Sequence, residues 1–325
     1  MKKFILLLCF IYGSISFAQT RIIYTAVDYI NNEVRAAVCN DDGNNKFDLG
    51  FNRTYLPVWF GDNILFNSDT YIWQCDTTGE NLKQLMPGYR VAVSHDQKKY
   101  AFYSSSGISI ADTSHKVIKE ILIDPWEDVS ITWSKDDTKI SYFNLLTNKL
   151  YLFDLVRDSV SIIGDYIYHP LWNPSDGRIL YNQKNENNLF DVYVIDSLNS
   201  PDKKLISSKG EMAVVPAWSS NGNEIAYMII HKEQNDSMQT DMFFSDVVLF
   251  NTVTGERKLL TSKAGFTDQA FPQLVFDEDD SYLYYTSITN YGTGALTRIE
   301  LVTGKIEIIS NDPKIDDRFP HIKKF

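Results

Sequence analysis

Apolar residues alternate with polar ones along this chain in short runs broken by turns, and one phrase keeps returning. Pro57-Val58-Trp59 leads to Ile64-Leu65-Phe66, and Val93-Ser94-His95-Asp96 leads to Tyr100-Ala101-Phe102. Trp133 to Asp137 leads to Ile140-Ser141-Tyr142, and Pro170-Leu171-Trp172 with Asp176-Gly177 leads to Ile179-Leu180-Tyr181. Pro216-Ala217-Trp218 with Asn221-Gly222 leads to Ile225-Ala226-Tyr227. Pro272 and Phe276 to Asp280 lead, after a small insertion, to Leu283-Tyr284-Tyr285, and Phe319-Pro320-His321-Ile322 is a last, truncated copy. Alternation with period two reads as half-buried strand. Asp-Gly or Asn-Gly after the Trp position predicts a tight hairpin, because both residues tolerate positive φ. Two more alternating strands follow, such as Asp191–Asp196 and then Lys204-Leu205-Ile206. Thr78-Gly79, Thr254-Gly255 and Thr303-Gly304 mark the turns between such pairs.

A repeat dictates architecture before any local feature does. Residues 1–18 form a separate segment: Met1-Lys2-Lys3, an apolar run from Phe4 to Tyr12, then Ser16-Phe17-Ala18. This pattern predicts a secretory signal cleaved after Ala18, with the run too short to span a bilayer. The rest, shared among seven copies, gives about 44 residues each, inside the ~40–45 of a four-stranded propeller blade. The reading is all-β: one β-propeller over residues 19–325 with seven blades, or six with a loose terminal element. The last copy holds only its first strand. Arg21–Tyr24, Glu33–Val38 and Lys46–Leu49 are expected to complete it, so chain start pairs with chain end and no sheet edge stays open. Trp59, Trp133, Trp172 and Trp218 are expected in the core.

The phrase Pro-x-Trp-Ser-x-Asp/Asn-Gly followed by an Ile-Ala-Tyr-like strand resembles the WD40-like repeats of the TolB β-propeller family. Residues 216–227 match best, and 170–181 and 131–142 match well. The resemblance implies a propeller, and it implies little about activity because the repeated residues build hairpins and core. TolB-type chains carry an N-terminal α/β domain for which the expected cleavage site leaves no room. Propellers of prolyl-oligopeptidase-like enzymes are also similar, but they carry an α/β-hydrolase domain, and no Gly-x-Ser-x-Gly occurs here.

Charge narrows the partners. The chain has 42 acidic against 31 basic residues and a net charge of −11, which disfavours nucleic acid and anionic membranes. Export places it in a periplasm or outside the cell, most simply as a monomer. Cys39 and Cys75 occupy equivalent third-strand positions, so their sulfurs are expected to face different ways and remain unbridged.

Strand order sets which loops share a face. Second-to-third loops and blade-to-blade links lie on one side of the disc, here the top. Those loops are short in blades one to three and longer in blade four (Gln183 to Leu189), blade five (His231 to Ser245) and blade six (Thr289 to Ala295). The blade-five stretch reads as an irregular lip carrying Met238, Met242, Phe243 and Phe244. The links add Glu127, Asp128, Asp165, Glu211, Asp268, Asp316 and Asp317, which are expected to ring the channel mouth and to attract a cation or basic segment. His169 precedes Pro170 at that mouth, and His231 lies on the same face. The expected binding set is Glu127, Asp165, His169, Glu211, Asp268, Phe243, Phe244 and Arg318. No His-x-x-x-His or His-Glu pair suggests a metal site, and no cofactor is expected. Asn40 to Asn45 reads as a hairpin rather than a calcium loop.

Two functions from different classes follow. One is a non-catalytic exported propeller that binds a protein, peptide or glycan through its top face; enzymatic activity is left open, leaning against. The alternative is a polysaccharide hydrolase or lyase using an acidic mouth and His169. Closure is directly testable. Deleting residues 319–325 is expected to lower the melting temperature sharply, and an unchanged value would remove the argument.

Overall fold

A computed structural model describes residues 20–49, 53–123, 130–196, 202–235, 240–262, 273–288 and 293–324. The expected signal segment lies outside them. The described residues form seven antiparallel sheets of four strands each and no helix, which settles seven blades over six. Blade one is Thr54–Phe60, Asn63–Ser68, Tyr71–Asp76 and Lys83–Pro87; blade two is Tyr89–Val93, Lys99–Ser104, Gly107–Asp112 and Val117–Leu122. Blade three is Ser130–Trp133, Lys139–Asn144, Lys149–Asp154 and Ser159–Asp165; blade four is Ile167–Trp172, Ile179–Lys184, Phe190–Ile195 and Lys203–Leu205. Blade five is Met212–Trp218, Glu224–Asn235, Thr240–Asn251 and Arg257–Leu259; blade six is Val275–Phe276, Tyr282–Ile288, Gly294–Glu300 and Ile306–Ile308. The closing blade takes its inner strand from the C-terminal end (Ile315–Lys324) and the other three from the start: Thr20–Asp28, Glu33–Asn40 and Phe47–Asp48. Ile22 lies opposite Ile322, and Asp28 opposite Ile315.

Strand alternation explains the ring. Successive side chains of a strand point to opposite faces, so an unbroken apolar run is apolar on both. Ile225, Tyr227 and Ile229 pack towards blade four, while Ala226, Met228 and Ile230 pack towards blade six. Buried apolar residues accordingly form seven clusters, each drawn from two neighbouring blades. Cys39 belongs to the layer against blade six and Cys75 to the layer between blade one and the closing blade, so the two thiols point into different layers.

The tryptophans do more than fill volume. All four are buried, and three indole N–H groups donate to the inner strand of the preceding blade: Trp59 to the His321 carbonyl (3.1 Å), Trp133 to Ala92 (2.9 Å) and Trp218 to Leu171 (3.1 Å). The turns that follow are longer than two-residue hairpins. Trp218 pairs with Ile225, and Ser219 Oγ accepts the Glu224 N–H at 2.9 Å to hold the six residues between them. Only Gly222 of that Asn-Gly pair takes positive φ (75°), and a Cβ there would lie 2.3 Å from Asn173 Oδ1 of blade four.

Four inner strands break their ladder at an x-Pro step. Leu56, His169, Val215 and Phe319 have φ of 46–55°, and each stands before a buried proline. Proline cannot donate to a ladder, so the interruption costs no hydrogen bond at that residue. A β-branched residue such as Val215 at positive φ is strained.

The closing strand buries two ionisable groups with opposite pH behaviour. Burial raises the Asp317 carboxyl to about 6, although Lys46 Nζ stands 3.7 Å away. Burial lowers the His321 imidazole to about 4. Folding therefore makes Asp317 hold its proton and His321 lose one. Asp317 costs stability as pH rises from about 4 to 6, and His321 returns it as pH rises from about 4 to 6.5. Each shift is worth roughly 3 kcal/mol, so the two largely cancel in the native chain. The Asp317→Asn variant should become more stable relative to the native chain across this window. Parallel stability curves from urea unfolding would contradict the buried-acid assignment.

Candidate functional site

The antiparallel order puts the second-to-third turns and the blade links on the same face, as the sequence implied. On that face Asp165, at the end of blade three's outer strand, pairs with Lys149 at 3.4 Å, and its carbonyl accepts Gln183 Nε2 of blade four at 3.1 Å. Glu211 enters blade five and turns outward, onto Arg257 of the outer strand (2.6 Å) and the Ser208 N–H (3.1 Å). The same guanidinium donates to Tyr227 Oη at 2.8 Å. Arg318 binds the Asp316 carboxylate and donates to Tyr29 Oη at 2.8 Å, while Asp316 Oδ1 accepts the Gly294 N–H at 2.9 Å. Asp316 and Asp317 lie within the inner strand and are buried rather than preceding it. Glu127, Asp128 and Asp268 fall outside the described residues. The four described carboxylates Asp165, Glu211, Asp316 and Asp317 are each met by a cation, so their local fields are largely cancelled.

His169 is exposed on the inner strand of blade four. It lines a small apolar pocket of about 30 Å³ with Asn182, Phe190, Val214 and Val215. Asn182 fixes this corner by donating to the Ala213 carbonyl of blade five at 2.9 Å. The equivalent Asn67 of blade one donates to the Gly88 carbonyl and accepts the Arg90 N–H across the next junction.

The expected irregular lip of blade five is instead a β-arm. Glu224–Asn235 and Thr240–Asn251 pair without a break, from Glu224 opposite Asn251 to Asn235 opposite Thr240. The inner strand accompanies them only as far as Ile230, opposite Met212. The last five residues therefore run ~16 Å past the inner strand, at ~3.3 Å per residue. Phe244 lies opposite His231 and Phe243 opposite Lys232, and His231 Nε2 meets Asp246 Oδ2 at 2.9 Å near the base. The segment lacks strict alternation, so its pairing was hidden from a periodicity argument.

Blade four carries a polar cleft that the sequence did not disclose. It measures about 420 Å³ and runs between the top of blade four and the link into blade five. Its floor carries Asp191 and Tyr193, and its rim carries Lys184, Asn187, Lys203 and Lys209. Asp191 is buried; Oδ2 takes Asn185 Nδ2 at 3.1 Å and Tyr193 Oη at 3.4 Å. Lys203 lies over the Tyr193 ring (4.5 Å to its centre) and donates to Gln183 Oε1 at 2.5 Å. These lysines come from a second strand, an outer strand and a link, so no local basic run announced them.

No protein-family model matches the chain, and no curated protein matches it in sequence. Solved structures match its shape. TolB from Acinetobacter baumannii is similar over 93% of this chain and 66% of its own, at 16% identity and a TM-score of 0.58. The fold is a TolB-like propeller. The β-propeller domain of the Trilobed protease from Pyrococcus furiosus is similar over 91% of this chain and 96% of its own (14% identity, TM-score 0.61). Oligogalacturonate lyase from Vibrio parahaemolyticus is similar over 90% and 86% (13% identity, TM-score 0.61). This propeller spans half the length of a puromycin-hydrolysing peptidase from Mycobacterium tuberculosis, to which it is also similar (10% identity, TM-score 0.64). Identities this low establish shape only, and one shape hosts many chemistries.

Hydrogen exchange separates an arm from a loop. Cross-strand amides between 231–235 and 240–245 should exchange slower than those of an unfolded chain, and unprotected rates throughout would restore the irregular lip.

Proposed function

We propose that this chain is an exported propeller of the WD40-like TolB repeat type that binds a protein, peptide or glycan at the top of blades four and five. On this reading it performs no chemistry there. The observation that carries the proposal is a roughly 420 Å³ polar cleft on blade four, on the same face as a β-arm that is the longest hairpin among the described residues. Pockets of ~300–1,000 Å³ with a few placed polar groups are typical ligand sites. Loops and projections on a rigid scaffold commonly carry recognition. Export, and with it a periplasmic or extracellular setting, rests on the pattern of residues 1–18. The alternative, polysaccharide cleavage at an acidic mouth, requires a free carboxylate pair ~5–9.5 Å apart. The cations met by Asp165, Glu211, Asp316 and Asp317 lend that alternative no support.

The test uses the full mature chain against envelope proteins and a glycan array. A second form has residues 232–243 replaced by an Asn-Gly turn, and a third carries Lys98→Ser with Lys116→Ser on the opposite face. Binding should fall at least tenfold in the arm-shortened form and persist in the third. Equal binding by all three, or no binding by a folded native chain, overturns the top-face assignment. Product release from any glycan overturns the non-catalytic part.

A further inference from the structure

The blade-four cleft has its own chemistry, and the inference drawn from it rests on the top-face reading above. The whole chain carries −11, yet the cleft is lined by three lysines against two carboxylates. A locally positive site on an acidic surface selects anions and repels cationic or basic ligands. Lys184 and Lys209 are exposed on opposite sides of it, on blade four and on the link. Lys203 is held in place by Gln183 and by the Tyr193 ring, so one ammonium is pre-positioned.

The floor imposes a second requirement. Asp191 is 4% exposed, and while Oδ2 is occupied by Asn185 and Tyr193, Oδ1 has no hydrogen-bond partner. A buried acceptor left unpaired costs ~1–3 kcal/mol, which a donor from a ligand or a water recovers. Rotation about χ2 of Asp is broad and roughly two-fold, so either oxygen can meet a donor entering the cleft. The exposed Asn187 adds a carboxamide at the rim, able both to donate and to accept. Ammonium groups on the rim call for negative charge, and an acceptor on the floor calls for hydroxyl or other donor groups. At about 420 Å³ the cleft holds a short oligomer rather than a single ion.

We infer that the blade-four cleft binds an acidic saccharide, with its anionic groups on Lys184, Lys203 and Lys209 and a sugar hydroxyl on Asp191. The site lies between the blade-four top and the following link.

Calorimetry on the full mature chain tests this with three probes: a trisaccharide of uronic acid units, its carboxyl-reduced neutral counterpart, and triglutamate. The uronate should bind, weaken as salt passes ~0.1 M, and exceed both other probes at least tenfold. Lys184→Ser with Lys209→Ser should cut uronate affinity at least fivefold at unchanged melting temperature. The Lys98→Ser, Lys116→Ser form, matched in charge, should not. Absence of uronate binding, equal binding of the neutral sugar, or equal binding of triglutamate each overturns the inference. In the last two cases a top-face binding function survives with a different ligand. Binding insensitive to the Lys184/Lys209 pair also overturns it, by placing the sugar elsewhere.

Discussion

Every sheet in this protein is apolar on both faces, and that single requirement organises the molecule. A four-stranded sheet carrying Ile64-Leu65-Phe66 or Ile225-Ala226-Tyr227 cannot leave either side in water. Burying apolar area is worth ~25 cal/mol per Å², so each blade needs two neighbours. The arrangement that gives every blade two neighbours is a ring, and a ring made from one chain must join its ends. Pairing of Thr20–Asp28 with Ile315–Lys324 supplies that join, and the resulting layer against blade six contains Ile22, Tyr24 and Cys39 as fully as any internal layer.

Closing the ring concentrates constraint near the axis. There four inner strands interrupt their ladders at x-Pro steps with positive φ, and the indole N–H groups of Trp59, Trp133 and Trp218, with Asn67 and Asn182, tie neighbouring blades together. Strained backbone persists only where surrounding structure over-determines it. The cross-blade bonds do this here, and they leave the more exposed His169 and Val215 beside the small pocket of blade four. Asp317 and His321 extend the same theme, since burial within the closing strand shifts both groups away from charge.

With the core distributed over seven layers, what distinguishes one blade from another is whatever departs from the repeat. Blade five departs most, through second and third strands of twelve residues. Blade four departs next, through the cleft beneath its top turn. Both departures lie on the face opposite the repeated Trp-Ser-Asp turns.

Fold class, blade count and ring closure were legible in the residues because strand alternation and hairpin chemistry are local, and the repeat multiplied each local signal. Placement of His169, Asp165 and Glu211 on one face followed from strand order alone. What those side chains touch was not legible: Glu211 turns outward to Arg257, and Asp165 finds Lys149 on the adjacent strand of the same sheet. Of the carboxylates expected from the links, Asp165, Glu211, Asp316 and Asp317 each meet a cation, and strand order alone did not disclose those partners. The arm escaped because pairing of residues 231–235 with 240–244 rests on cross-strand hydrogen bonds that need no apolar alternation. The cleft escaped because Lys184, Asp191, Lys203 and Lys209 converge only when a link folds back over a blade. Local periodicity determines a wheel; only the closing of that wheel decides which charges become neighbours, because electrostatic partners are chosen by distance in space.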